Sequence, residues 1–117
     1  MSGLLGMETV NYIGYSSLDD EIWIGPSYQP VIYTLKKEKG QIRLVSTINL
    51  QEYVKGAGNN PQFFYEDRKC NIWIVTSLGL FVKPAGSHGI LKETGFLQKE
   101  ITGLVEDDSG HIWVSTR

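Results

Sequence analysis

The last fourteen residues, LVEDDSGHIWVSTR (104–117), repeat an earlier stretch, FYEDRKCNIWIVTS (64–77). Laid over each other without a gap, they pair Glu66 with Glu106, Asp67 with Asp107, Ile72 with Ile112, Trp73 with Trp113, Ile74 with Val114 and Thr76 with Thr116. A weaker copy, SLDDEIWIGPS (17–27), sets Ile22, Trp23 and Ile24 in the same relation, but Pro26 replaces the Thr and the acidic pair Asp19-Asp20 slides towards the Trp. Trp23, Trp73 and Trp113 stand 50 and 40 residues apart, and the extra ten residues fall in the Gly- and Asn-rich LQEYVKGAGNNP (50–61), which reads as a loop.

Each unit has one grammar. A short apolar stretch (QFFY, ITGLV) leads into a polar turn that opens on acidic residues, and the turn leads into an apolar strand (NIWIV, HIWVS). An Asp carboxylate accepts hydrogen bonds from backbone N–H groups just ahead of it, and Gly110 supplies positive φ without steric cost. Cys70 stands where the last copy has Gly110, so that turn must be built differently or be strained. A second pair of strands follows in each of the first two units: PVIYTLKKEKG with QIRLVSTINL, and GLFVKPAG with HGILKETGF. Helical periodicity is weak, and NLQEYVKG is at most a single helical turn.

In NIWIV, Ile72 and Ile74 point to one side of the strand, Trp73 and Val75 to the other. A sheet that is apolar on both faces must be covered on both. Four-stranded antiparallel units with a period of 40 to 50 residues fit the blades of an all-β propeller, in which each sheet packs between two neighbours. The Trp of each unit is expected to fill the layer between blades, where burying such a ring is worth roughly 2 to 3 kcal/mol. The chain then divides into an N-terminal lead or expression remnant (1–9), a degenerate blade (10–50), a loop (51–61), a full blade (62–100) and the first half of a further blade (101–117).

Composition bounds the function. The 117 residues carry 11 basic and 13 acidic side chains, a formal net charge of -2. That is no electrostatic footprint for nucleic acid. At 41% hydrophobic and 21% charged the chain is an ordinary globular domain, and its 11% aromatic residues and 13 Gly favour strands and turns. Cys70 is the sole cysteine, so no internal disulfide forms and no cysteine pattern for zinc or redox chemistry exists. No run approaches the ~18 apolar residues of a membrane helix, so no membrane contact by this segment is expected, and MSGLLGMETV lacks the basic start and apolar core of a secretion signal.

The two clear copies resemble the two-component regulator propeller repeat. Its phrase is an acidic pair, a Gly-containing turn, IW, a small residue with Thr, then GL and an aromatic. Glu66-Asp67, Ile72-Trp73, Thr76, Gly79-Leu80 and Phe81 supply that phrase once, and Glu106-Asp107, Gly110, Ile112-Trp113 and Thr116 supply its first half again. The first copy departs from it, with GPSYQP where the family has a Thr and a Gly-Leu step. The resemblance implies a piece of the propeller sensor region of hybrid histidine kinases of Bacteroidetes. Such regions are periplasmic and respond to polysaccharide fragments. It assigns no histidine of this chain as a phosphate acceptor. Two and a half units do not close a ring of roughly four to eight blades. Open faces and edges therefore predict self-association, or a partner in the remaining blades.

Candidate chemistry is weighed residue by residue. The acidic pairs could serve as the two carboxyls of a glycosidase, but their recurrence at one point of a structural repeat marks them as turn formers. DDSGHIW does not reproduce the Asp-box of sialidase-type propellers. His88 and His111 lack partners at metal-ligand spacing, no G-x-S-x-G surrounds a serine, and GAGNNP is no phosphate loop. KKEKG is a solvated hairpin tip, and Cys70 sits in a polar turn without a basic neighbour to activate it. No catalytic residue, cofactor or metal is expected. The leading expectation is a non-catalytic sensing module, most plausibly for a glycan, whose loops present Tyr28, Tyr53 and Phe96 for stacking on sugar rings. The alternatives are a scaffold propeller for protein partners or dimerisation and, behind it, a fragment of a propeller lyase or hydrolase.

Overall fold

The structure, a computed structural model, describes residues 10–52, 60–87, 92–96 and 99–117. Its strands form three antiparallel sheets in chain order. The first is the meander β1 (Val10–Ser16), β2 (Glu21–Pro26), β3 (Val31–Glu38) and β4 (Gln41–Asn49). The second is β5 (Pro61–Glu66), β6 (Ile72–Thr76), β7 (Gly79–Lys83) and β8 (Lys92–Glu93), and the third is the hairpin β9 (Ile101–Glu106) with β10 (Ile112–Thr116). Leu50–Glu52 make one 3-10 turn after β4. Lys39 and Gly40, both at positive φ, close the β3–β4 hairpin at the tip of KKEKG. The architecture is all-β, a stack of propeller-type blades.

Strand pairing decides which side chains share a face, because directly opposed residues point the same way. In the second sheet Phe64, Ile74 and Phe81 are in line, as are Glu66, Ile72 and Lys83, and all look towards the first sheet. Tyr65, Trp73 and Val82, with Val75 and Leu80, look the other way, towards the third. We call the face towards the preceding sheet the leading face and the opposite one the trailing face.

Each junction is a trailing face closed by a leading one. Trp23, 1% exposed, lies on the trailing face of the first sheet opposite Gly14 and Thr34. Its indole meets the Phe64 ring edge to face, with centroids 5.9 Å apart, in a core with Ile32, Ile48, Leu50, Ile72, Ile74 and Phe81. Gly14 is small for this reason: a Cβ there would stand 3.0 Å from the Phe64 ring. Trp73 repeats the role at the second junction with Val75, Leu80, Ile101, Leu104 and Val114. Trp113, paired with Val105 on the trailing face of the third sheet, is 63% exposed. Among the described residues no sheet lies on Trp113, so the expected inter-blade packing is seen at Trp23 and Trp73 and not at Trp113.

Polar ties run beside the apolar layers. Lys83, 2% exposed, reaches from the second sheet to Asp19 of the first at 3.0 Å. The Ser17 backbone N–H donates to Glu66 at 2.8 Å, and the Tyr65 hydroxyl donates to Glu106 at 2.8 Å. The first acid of each clear Glu-Asp pair thus grips the preceding blade, a role distinct from the turn-forming one assigned to the pair as a whole.

The asymmetry of the three tryptophans is measurable. Trp23→Ala should cost about 3 to 5 kcal/mol in urea or thermal unfolding, as for a buried ring leaving a cavity. Trp113→Ala should cost about 1 kcal/mol or less, since its ring is already largely in water.

Candidate functional site

Two structural signals matter for function: positions where the repeat is kept and positions where it is broken. The kept positions are the turn caps. Asp67 accepts from the backbone N–H of Lys69 and of Asn71, both at 2.9 Å, from the Asn71 side-chain amide at 3.1 Å and from Trp73 Nε1 at 2.9 Å. Asp107 repeats the pattern with the N–H of Ser109 and of His111 at 2.9 Å and Trp113 Nε1 at 2.8 Å. These carboxylates are saturated with donors from their own turns, an arrangement that suits capping. Burial opposes ionisation of Asp67, but its donors, Trp73 Nε1 foremost, outweigh that and hold its pKa below the usual range. The Trp113 indole and the His111 N–H lower Asp107 to about 2.

Cys70 adopts φ 65°, the left-handed conformation that Gly110 adopts at φ 86°. The N–H of each donates to the carbonyl of its capping Asp at 3.0 Å. The turn is therefore built the same way, and the cysteine carries the strain. Thr76 serves the next turn: its hydroxyl accepts from the Leu78 N–H and donates to the Gly79 carbonyl, both at 3.3 Å. Thr116 ends β10 opposite Ile101.

The first blade breaks the repeat twice. Six residues before Trp23 stands Ser17, not Asp, so the indole N–H of Trp23 is buried with no acceptor in hydrogen-bond geometry. It lines a crevice of about 100 Å³ with Asp19, Glu21, Thr34, Ser46 and Lys83. Burial and the nearby Asp19 raise the Glu21 pKa, and the positive charges of Lys83 and Lys36 do not offset them.

The second break is the β2–β3 turn. β6 and β7 are joined by Ser77-Leu78, whereas β2 and β3 are joined by Ser27–Pro30, two residues longer and bracketed by Pro26. Tyr28 sits at its tip at φ 63°, strained for a bulky residue, and is 89% exposed. Gln29 is held by the Tyr33 hydroxyl at 3.2 Å. Tyr28 lines an open groove of about 210 Å³ with Asn11, Ser27, Asn60, Gln62 and Ser77, where β1 and β5 begin and β2 and β6 end. Two hydrogen bonds tie the base of the groove: Asn11 donates to the Pro61 carbonyl at 2.9 Å, and the Asn60 N–H donates to the Ser77 hydroxyl at 2.8 Å. Its wall offers neutral amides and hydroxyls beside one aromatic ring.

Of the aromatic residues singled out from the sequence, Tyr28 is in this groove, and Phe96 packs against the Val75–Leu80–Ile101 core at the second junction. Tyr53 lies outside the described residues, as does His88. The groove's amides were missed because each is unremarkable in sequence; the signal that could have found them is the PSYQP insertion, beside which they converge. His111 is exposed, and among the described residues no three His, Cys, Asp or Glu are grouped to hold a metal ion.

Two outcomes test the caps. Cys70→Gly should raise stability by about 1 kcal/mol, because relief of left-handed strain exceeds the added backbone entropy; a melting temperature unchanged or lowered refutes the strain. Asp107 titrates lower folded than unfolded, so its contribution is present above about pH 4 and lost as pH falls towards 2. Unfolding measured from pH 5 to 2 should show a shallower loss for Asp107→Asn than for the parent chain.

Comparison with known proteins agrees with this architecture. Residues 95–117 match the family described as two component regulator propeller. Over 97% of its length the chain superposes, with a TM-score of 0.70 and 22% identity, on the extracellular domain of a putative hybrid two component system from B. thetaiotaomicron. It spans 15% of that solved chain, and a likeness at this identity speaks to fold. None of the curated proteins compared with the chain matches it. The last 23 residues are thus similar to the two component regulator propeller repeat, and the sheets before them are antiparallel meanders of the same plan.

Proposed function

We propose that this chain is a non-catalytic ligand-recognition segment of a two-component sensor, acting outside the cytoplasm, in the periplasm, on a neutral glycan. The observation that carries the reading is Tyr28. A bulky residue in a strained backbone conformation, held almost wholly in solvent over a groove of amides and hydroxyls, has no packing role that would account for it. An aromatic plane can stack on the apolar face of a sugar ring while Asn11, Asn60, Gln62 and Ser27 exchange hydrogen bonds with its hydroxyls. A neutral wall suits an uncharged saccharide better than a phosphate or a carboxylate ligand. The family match and the likeness to an extracellular sensor domain support a sensing role in general terms. Among the described residues no helix is long and apolar enough to cross a membrane.

A scaffold reading has its own support in the uncovered apolar strands at the ends of the stack, Val105 and Trp113 among them. An enzymatic reading has less: the two Asp of the clear repeats are turn caps, and Glu66 and Glu106 tie blades together.

Calorimetric titration with a panel of neutral oligosaccharides should give heat for at least one member. Tyr28→Ala should weaken that binding about tenfold or more, equivalent to roughly 1.4 kcal/mol, without changing the melting temperature. Heat from no member of the panel, or binding indifferent to Tyr28, overturns the proposal.

A further inference from the structure

The crevice beside Trp23 is where departures from the repeat meet, and both of its walls come from four-stranded sheets packed on each other. Thr34 opposes Trp23 where Val82 opposes Trp73. Glu21 stands two residues before Trp23 on β2, so its side chain shares the trailing face with the indole; Asn71 holds that place before Trp73. Asn71 gives its amide to the cap Asp67, whose carboxylate takes the Trp73 N–H. The Trp23 N–H has no such acceptor and is buried in the crevice wall. Lys83 enters from the second sheet, 2% exposed, and Asp19 accepts one proton of its ammonium at 3.0 Å. The Thr34 and Ser46 hydroxyls, 2.7 Å apart, lie beside them.

A volume of about 100 Å³ exceeds the ~30 Å³ share of one water, so the crevice suits a molecule of a few heavy atoms and not an oligosaccharide. Its lining carries both signs of charge. A simple anion there meets Asp19 and Glu21, and a simple cation meets Lys83 and the indole N–H. A ligand with both signs answers every group: its carboxylate accepts from Trp23 Nε1 and Lys83, and its ammonium donates to Glu21, whose ionisation burial otherwise opposes. We propose that this crevice binds a small zwitterion, a free α-amino acid with a short side chain. The bound molecule bridges two blades, with Trp23 and Glu21 on one and Lys83 on the other, and so tightens their junction. The site is independent of the glycan reading: Glu21 begins β2 and Lys83 ends β7, at the opposite strand ends from the Tyr28 groove.

Calorimetric titration of the whole chain with glycine and L-alanine should give saturable heat. Acetate and ethylamine, each carrying one of the two charges, should bind about tenfold more weakly or worse. Glu21→Gln supplies a readout that a merely structural role does not move: alanine binding should weaken about tenfold, for want of the ammonium's partner, while acetate binding strengthens because a like charge has gone. Trp23→Phe, which keeps a ring in the junction but has no N–H, should weaken both. No heat from glycine or alanine overturns the proposal and leaves the crevice to solvent. Alanine that binds no better than acetate or ethylamine overturns the zwitterion, and binding indifferent to Glu21→Gln overturns the site. Glu21 is only partly buried, so Glu21→Gln decides the matter if Trp23→Phe does not fold.

Discussion

A blade that is apolar on both faces cannot stand alone in water, and this constraint organises the molecule. Ile72 and Ile74 need a cover on one side, Trp73 and Val75 on the other, so the second sheet is stable only as the middle layer of a stack. The first sheet covers it with Trp23 and the third with Leu104 and Val114. Among the described residues the large exposed apolar side chains lie on the first and third sheets and their turns.

The conserved phrase within this chain is a small machine for setting blade geometry, and its two acids divide the work. The Asp gathers the backbone N–H groups of its own turn and the indole N–H of its own Trp, so the turn and the inter-blade ring are oriented by one carboxylate. The Glu reaches the blade before it. Where Ser17 takes the place of the Asp, the Trp keeps its buried position but loses its acceptor, and the Lys83–Asp19 pair ties that junction instead. Core packing alone therefore suffices to place Trp23; the cap adds orientation and satisfies the N–H.

The candidate groove lies where the repeat is relaxed. A two-residue turn such as Ser77-Leu78 leaves no room for a side chain to stand over the strand ends, whereas the longer Ser27–Pro30 turn lifts Tyr28 above them. The strain at Tyr28 differs in kind from that at Cys70. Cys70 inherits a conformation that the repeat imposes, while Tyr28 belongs to an insertion the repeat does not require.

The sequence by itself determined the strand grammar, the blade period, the acidic turns and the identity of the three tryptophans as equivalent residues. All of these are local, repeated patterns of apolar alternation and turn chemistry, legible without knowing what packs on what. Tertiary structure alone decided that Trp23 and Trp73 are covered and Trp113 is not, that Glu66 and Glu106 serve the neighbouring blade, and that Asn11, Asn60 and Gln62 converge on Tyr28. Those facts depend on which sheet lies against which face, and residues far apart in the chain become neighbours only when the blades stack.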